Sequence, residues 1–159
     1  MKPLIRKLRP SDLAVAVEIH TDPQTNTYNP FPPGKAEVEE FFAHWLHLTR
    51  SGVQAYKVVE IDGRVAGFGG AVARYDDLCS ETYFNIYFRL GVKYQGMGLG
   101  TLLGKEGLRA ASMAGKAAMA VTRLNNHPSI RLISRLGMQP HMCKVSDHGA
   151  PQLVYRTEA

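Results

Sequence analysis

Leu90-Gly91-Val92-Lys93-Tyr94-Gln95-Gly96-Met97-Gly98-Leu99-Gly100-Thr101 is the stretch around which the chain is organised. Gly96, Gly98 and Gly100 alternate between two runs of different character. Before them, Tyr83-Phe84-Asn85-Ile86-Tyr87-Phe88-Arg89-Leu90 is dense in aromatic and β-branched residues, the composition of a buried strand. After them, Leu99, Leu102, Leu103, Leu108, Ala110, Ala111 and Ala114 favour a helix with one apolar side. A strand therefore feeds a glycine loop, and the loop feeds a helix N-terminus. The first N–H groups of a helix have no intrahelical partner, and the helix dipole adds positive potential there. Glycine removes the Cβ atoms that would keep a phosphate away from those groups. The stretch predicts an anion site suited to a pyrophosphate; the alternative is a tight strand–helix turn that binds nothing.

Three glycine arrangements of this kind can be separated. A P-loop needs Lys-Ser/Thr directly after its last glycine, whereas Gly100 is followed by Thr101-Leu102. A dinucleotide fingerprint needs an acidic residue at the end of the next strand, about 20 residues on. The next strand-like run, Ala118 to Leu124, has no carboxylate, which disfavours a nucleotide-dependent oxidoreductase. The third arrangement, Gln/Arg-x-x-Gly-x-Gly/Ala, is matched by Gln95, Gly98 and Gly100. It resembles the acetyl-CoA pyrophosphate loop of the GNAT superfamily of N-acetyltransferases.

Composition bounds the reading. The 159 residues suffice for one domain with a real core, spanning 1–159. At 45% hydrophobic and 21% charged, the chain reads as a globular protein with no membrane-span-length apolar run. Nineteen basic against fourteen acidic residues give +5, yet the basic residues are scattered, which disfavours nucleic acid as partner. A polyphosphate co-substrate is a sufficient use for mild basicity. Cys79 and Cys143 carry no metal or redox spacing and read as free thiols of a reducing cytoplasm. The six histidines show no ligand spacing, so no metal site is expected. Met1 to Lys7 has charges but no signal-peptide apolar run after them.

The flanks read in order. Leu4 to Leu8 is a short strand; Ser11 or Asp12 then caps a first helix filled by Leu13, Val15, Ala16, Val17 and Ile19. Four prolines between Thr21 and Lys35 exclude regular structure; Tyr28 and Phe31 give that loop apolar weight either to fold over a pocket or to pin a surface excursion. Glu37 to Arg50 is a second helix, stopped at Ser51-Gly52. Val53 to Ile61 and Arg64 to Arg74 are strands joined by a two-residue Asp62-Gly63 hairpin. Tyr75 to Leu78 turns, and Glu81 opens the strand into the glycine loop. Gly104 and Gly107, inside the helix, mark either close approach of a ligand or neighbouring backbone or a tolerated defect. Gly115 ends that helix, and a strand runs from Ala117 to Leu124. A helix follows from Asn125-Asn126-His127-Pro128 to Gly137, with Ile130, Ile133 and Leu136 inward; Met138 to Val145 and Gln152 to Arg156 close as a hairpin.

This order matches the GNAT fold, and a second motif strengthens the resemblance: Asn126, Ser129, Leu132 and Gly137-Met138 fall at the family's intervals after the fifth strand. The resemblance implies an α/β (α+β) fold, a mixed, mostly antiparallel, twisted sheet of about seven strands with helices on both faces. The early helical segment with its Pro-rich loop looks most like the branch that acetylates protein N-termini (ribosomal proteins among them), small amines or antibiotics. The implied activity is acetyl-CoA-dependent N-acetyl transfer to a primary amine of a small molecule or a peptide N-terminus. A non-catalytic acyl-CoA-binding or regulatory domain of the same fold is the alternative. Many relatives pair as dimers, so a homodimer is one assembly the resemblance allows.

The implied cofactor residues are Phe88, Leu90, Val92, Gln95, Gly96, Met97, Gly98, Leu99, Gly100, Thr101, Asn126 and Ser129. Lys93, Arg131 and Arg135 are candidates for an outer phosphate; for the two arginines, exposed helical charges are the plainer reading. The tyrosine that often protonates the leaving thiolate is replaced by Ile133, leaving Ser129 and Ser134 as nearby hydroxyls. A substrate ammonium must lose a proton before it attacks. Glu81, with Asp76 and Asp77 behind it, is the first candidate base, against the alternative of a solvated turn carboxylate.

Overall fold

The computed structural model describes residues 2–77 and 80–157; Leu78 and the Cys79 thiol lie outside the described residues. The chain runs β1 (Pro3–Arg6), α1 (Leu13–Thr21), α2 (Lys35–Arg50), β2 (Lys57–Ile61), β3 (Arg64–Asp76) and β4 (Glu81–Leu90). It continues through α3 (Leu99–Met113), β5 (Ala118–Arg123), α4 (His127–Arg135), β6 (Gln139–Val145) and β7 (Pro151–Arg156). The strands form one seven-stranded sheet in the order β1-β2-β3-β4-β5-β7-β6. Only the β4–β5 neighbours are parallel; the others run antiparallel. The expected mixed, mostly antiparallel sheet is what the chain builds.

Alternation along the strands divides the core into two layers. On one face, Val38, Phe42 and Trp45 of α2 and Ala16 and Ile19 of α1 pack with Tyr56, Val58, Phe68 and Val72. The positions i, i+4 and i+7 of α2 lie on one side of the helix, and each large side chain buried there contributes about 1.5–3 kcal/mol. On the other face, Leu99, Leu103, Ala110 and Ala111 of α3 and Ile133 of α4 pack with Val59, Phe84, Ile86 and Ala120.

Helix α3 lies very close to the sheet because glycines make room for it. A Cβ on Gly107 would sit 2.6 Å from the Gly70 carbonyl oxygen, and one on Gly104 would sit 2.5 Å from Leu136, the residue that caps the end of α4. Across the contact, Cβ atoms on Gly67 and Gly69 would strike the Arg89 and Tyr87 carbonyls of β4. The two helix-interior glycines therefore mark close approach of neighbours.

Local chemistry accounts for most boundaries. Asp62 (φ 51°) and Gly63 (φ 75°) both have positive φ and join Ile61 to Arg64, the two-residue hairpin expected from Asp-Gly. Glu37 Oε1 accepts the Gly34 N–H at 3.2 Å at the start of α2. Asn126 Oδ1 accepts the Ser129 N–H at 3.2 Å at the start of α4. Two expectations need correction. The first helical turn starts at Pro10 as a short 3-10 segment, and Asp12 does not cap α1 with its side chain. Its carboxylate instead accepts the Arg9 N–H at 2.7 Å and both terminal nitrogens of Arg6. Tyr75 and Asp76 do not turn; they extend β3 and pair with Thr82 and Glu81.

Candidate active site

The sheet opens between its two parallel strands. β4 and β5 pair only at Phe84–Ala118 and Asn85–Met119. Beyond that point they diverge around a cleft of about 250 Å3, lined by Ile86 to Arg89 on one side and Ala120 to Arg123 on the other. The Phe84 N–H donates across the closed end to the Ala117 carbonyl at 2.8 Å, whereas the Gly91 N–H donates to Ala66 of β3 at 2.9 Å. Alternation between these two anchors turns the N–H groups of Ile86, Phe88 and Leu90 toward the gap, where β5 no longer supplies acceptors.

The glycine loop begins just past the end of β4, beyond the cleft-lining Arg89. Val92–Tyr94 forms a short 3-10 turn, then Gly96 (φ 77°) and Gly98 (φ 80°) take left-handed conformations that disfavour any side chain. Gly98 is the N-cap of α3, and the first intrahelical bond runs from Leu102 N–H to the Gly98 carbonyl at 3.2 Å. The amides of Leu99, Gly100 and Thr101 thus precede the first helical bond and lack intrahelical acceptors. No Cβ stands near them at Gly96, Gly98 or Gly100, and no carboxylate occurs between Leu90 and Thr101. This donor set fits a diphosphate.

A buried chain of hydrogen bonds supports the opposite wall. His20 of α1 is 2% exposed, enclosed by Phe41, Trp45, Phe68 and Tyr87. Its Nδ1 lies 2.7 Å from the Ala16 carbonyl, which can only accept, so Nδ1 carries the hydrogen. Burial, aided by the nearby Arg89 charge and opposed by the Ala16 bond, lowers the His20 pKa to about 4. The ring is therefore neutral at pH 7, and its Nε2 accepts from the Tyr87 hydroxyl at 2.8 Å. Arg89 Nε donates in turn to the Tyr87 oxygen at 3.1 Å. Burial holds the Tyr87 phenol above its usual pKa despite Arg89 beside it.

The proline-rich loop after α1 closes this side. Thr25, Tyr28 and Asn29 line the cleft, one of the two placements the loop's composition allows. Arg89 Nη1 donates to the Thr25 carbonyl at 3.1 Å and to Asn26 Oδ1 at 3.0 Å, tying loop to strand. Farther along, Phe31 stacks on His148 of the β6–β7 connection with ring centroids 4.4 Å apart.

Residues 3–139 match the model of the acetyltransferase (GNAT) domain. The chain belongs to the GNAT acetyltransferase family. Solved structures share its fold over nearly the whole length. A ribosomal-protein-alanine N-acetyltransferase from Brucella melitensis has a TM-score of 0.81 at 18% identity, covering 98% of this chain and 99% of that one. yncA from Salmonella typhimurium, solved with acetyl-CoA, has a TM-score of 0.79 at 21% identity, covering 98% and 93%. A phosphinothricin acetyltransferase from Sinorhizobium meliloti, in complex with acetyl-CoA, has a TM-score of 0.78 at 23% identity, covering 99% and 88%. No curated protein sequence matches the chain.

Within this GNAT domain the expected site residues separate into groups. Phe88, Asn126, Ser129 and Ile133 line the cleft, and Leu90 ends the strand that forms its wall. Val92, Gln95, Gly96, Met97 and Gly98 form an exposed rim. Leu99 and Gly100 are buried, Leu99 in the core and Gly100 with its α-carbon against Leu132, so only their backbone can face a ligand. Thr101 follows half-buried in the first turn. Lys93 lies 5.1 Å from the Tyr94 ring centre, Arg131 is exposed, and Arg135 Nε donates to the Arg131 carbonyl at 3.3 Å.

Two expected catalytic positions are not brought to the cleft. Glu81 stands at the closed end of β4, seven residues from Phe88, or roughly 23 Å along an extended strand. Its carboxylate accepts from Arg156 at 2.7 Å. Asp76 pairs opposite it and lies as far away. Ser134 is exposed on α4 and does not line the cleft, because it points away from the buried Ile133. Sequence reasoning missed His20, read only as one of six scattered histidines, and the two arginines Arg89 and Arg123 of the cleft walls. Among the described residues no group of three or more His, Cys, Asp or Glu is placed to hold a metal, and no helix is long and apolar enough to cross a membrane.

Proposed function

We propose that the chain is an acetyl-CoA-dependent N-acetyltransferase that acetylates a primary amine by direct attack on the thioester. The observation that carries this reading is the coincidence of two donor sets at one end of the sheet. The open N–H groups of Ile86, Phe88 and Leu90 lead straight into the amide cradle at Leu99, Gly100 and Thr101. When bound, acetyl-CoA supplies the activated acetyl group as its thioester. The cradle amides and Gly98 hold the diphosphate, while the β4 edge and Asn126 orient the pantetheine arm. The N–H of Phe88 or Leu90 donates to the acetyl oxygen as negative charge builds there.

Proton handling follows from the lining. Among the described residues no carboxylate lines the cleft, while Arg89 and Arg123 do. One positive charge at roughly 7 Å, with an effective dielectric near 20, disfavours an ammonium by about 2.4 kcal/mol, lowering its pKa by about 1.7. The cleft therefore selects the neutral amine, and water carries its proton away, which removes the need for a carboxylate base. His20 does not serve as that base, since its pKa near 4 places it far below an alkylamine. Its part is to fix the Tyr87 hydroxyl. Ser129 is the α4 hydroxyl that lines the cleft and can return a proton to sulfur; a thiol pKa of about 8.5 makes that help modest.

Calorimetric titration of acetyl-CoA into the purified chain and into Gly98→Val tests the cradle. The left-handed φ and the added bulk lower affinity by about 10-fold or more. Unchanged affinity in a folded variant refutes the cradle. Mass spectrometry of a panel of amines incubated with acetyl-CoA tests the transfer: an N-acetyl product above background is expected. The missing carboxylate and the apolar Ile133 favour one second reading, a domain that binds acyl-CoA without turnover; binding without product from any amine would establish it.

A further inference from the structure

Arg89 and Arg123 line the cleft from its two diverging walls. Alternation places them on the same face: Phe84, Ile86, Ala118 and Ala120 pack toward α3 and α4, so the odd-numbered Arg89 and Arg123 project to the other side. That side is the one the Thr25–Asn29 loop covers, away from the diphosphate cradle at the head of α3. Partly buried cations elsewhere are paired: Arg6 with Asp12 and Glu60, Lys57 with Glu106, and Arg156 with Glu81. Arg89 and Arg123 have no carboxylate within ion-pair distance among the described residues. Among the described residues, the Arg123 side chain makes one hydrogen bond, to the Ser146 hydroxyl at 3.5 Å.

Arg89 is held ready for a ligand. Its Nε and Nη1 are spent on Tyr87, the Thr25 carbonyl and Asn26, and the Asn26 amide is itself held by the His20 carbonyl at 2.8 Å and the Asp22 carbonyl at 2.9 Å. Those bonds fix the guanidinium plane and leave Nη2 without an acceptor among the described residues. Two half-buried positive charges facing one small cleft with no counter-charge leave a strong preference for an anion there. The cleft, about 250 Å3, is slightly smaller than typical ligand sites, which favours a small acceptor over a polypeptide segment.

We propose that the acceptor is a small amine that carries its own carboxylate, of the α-amino-acid class, with Arg89 and Arg123 binding the carboxylate while the amine faces the β4 edge. This rests on the N-acetyltransferase reading above and gives it a substrate class. It also accounts for the cleft's cations: they anchor one end of the acceptor and favour the neutral form of the other.

The test compares α-amino acids with their α-amides, their decarboxylated amines and short peptides, by thiol release from saturating acetyl-CoA on the full chain. The acids should exceed their matched amides by about 100-fold in kcat/KM. Arg123→Gln should cut that preference to below about 10-fold, mainly through KM, and Arg123→Lys should restore part of it. Arg89→Lys should also reduce the ratio; a merely structural arginine would depress acids and amides alike. Acetyl-CoA affinity should change less than about 3-fold in Arg123→Gln. Amides or peptides used as well as acids, or Arg123→Gln weakening acetyl-CoA instead, would overturn the proposal. If no amine is acetylated, the N-acetyltransferase reading fails separately. Calorimetry of N-acetyl-amino acids on the CoA-loaded chain then decides this one, and absence of Arg123-dependent binding overturns it.

Discussion

At one end, β4 and β5 are zipped: Phe84 and Asn85 pair with Ala118 and Met119, Glu81 meets Arg156, and the Thr157 hydroxyl accepts from the Ala118 N–H at 3.1 Å. At the other end, the same strands part, and each presents an arginine without a carboxylate. The closed end satisfies its charges and amides internally; the open end leaves them for a ligand. Chemistry is therefore to be sought where the ladder stops, and Glu81, on the right strand, stands at the end away from the cleft. Position along the strand matters as much as residue type.

This contrast can be broken or sharpened by experiment. The largest effect belongs to the closed end: Phe84→Ala removes a buried ring and should cost about 3–5 kcal/mol in denaturant unfolding. KM for acetyl-CoA should stay within about 3-fold in whatever remains folded, because the open end is untouched; a large rise would show the two ends are coupled. The next effect belongs to the open end and depends on pH. His20 has a folded pKa of about 4 against about 6.5 unfolded, so the unfolded chain binds more protons between those values. Its contribution is complete above pH 6.5 and drains away as pH falls toward 4, a loss of about 3 kcal/mol. Unfolding of His20→Gln should lack most of that slope; an identical slope would place the acid sensitivity elsewhere. The smallest effect is expected for Glu81→Gln. A partly exposed ion pair is worth below about 1 kcal/mol, and turnover should change less than about 3-fold. A collapse of activity with acetyl-CoA binding intact would restore Glu81 as a catalytic group and undo the contrast.

What could be read from the sequence was local. Gly98 before an apolar helix, Asp62-Gly63 between two strands, and Asn126 with Pro128 each declare their conformation through neighbouring residues alone. The Pro-rich loop allowed a cover or a surface excursion; Tyr28 lines the cleft, while Phe31 stacks on His148 outside it. The failures were non-local. Nothing near Glu81 says that its partner is Arg156, 75 positions away, or that β4 and β5 part after Asn85. Asp12 has the residue type of a cap, but Arg6 claims its carboxylate. Arg89 and Arg123 were hidden in a scattered positive balance, because a count of charges does not tell which of them lack a counter-ion.

The glycine contacts around α3 have a practical corollary for redesign. With Gly107 against the Gly70 backbone and Gly104 against Leu136, that helix has almost no slack for mutagenesis toward larger side chains. A library aimed at new acceptors should leave it intact and diversify Tyr28, Asn29 and Gln152. Those residues border the cleft, and none of them belongs to the packed helix–sheet seam.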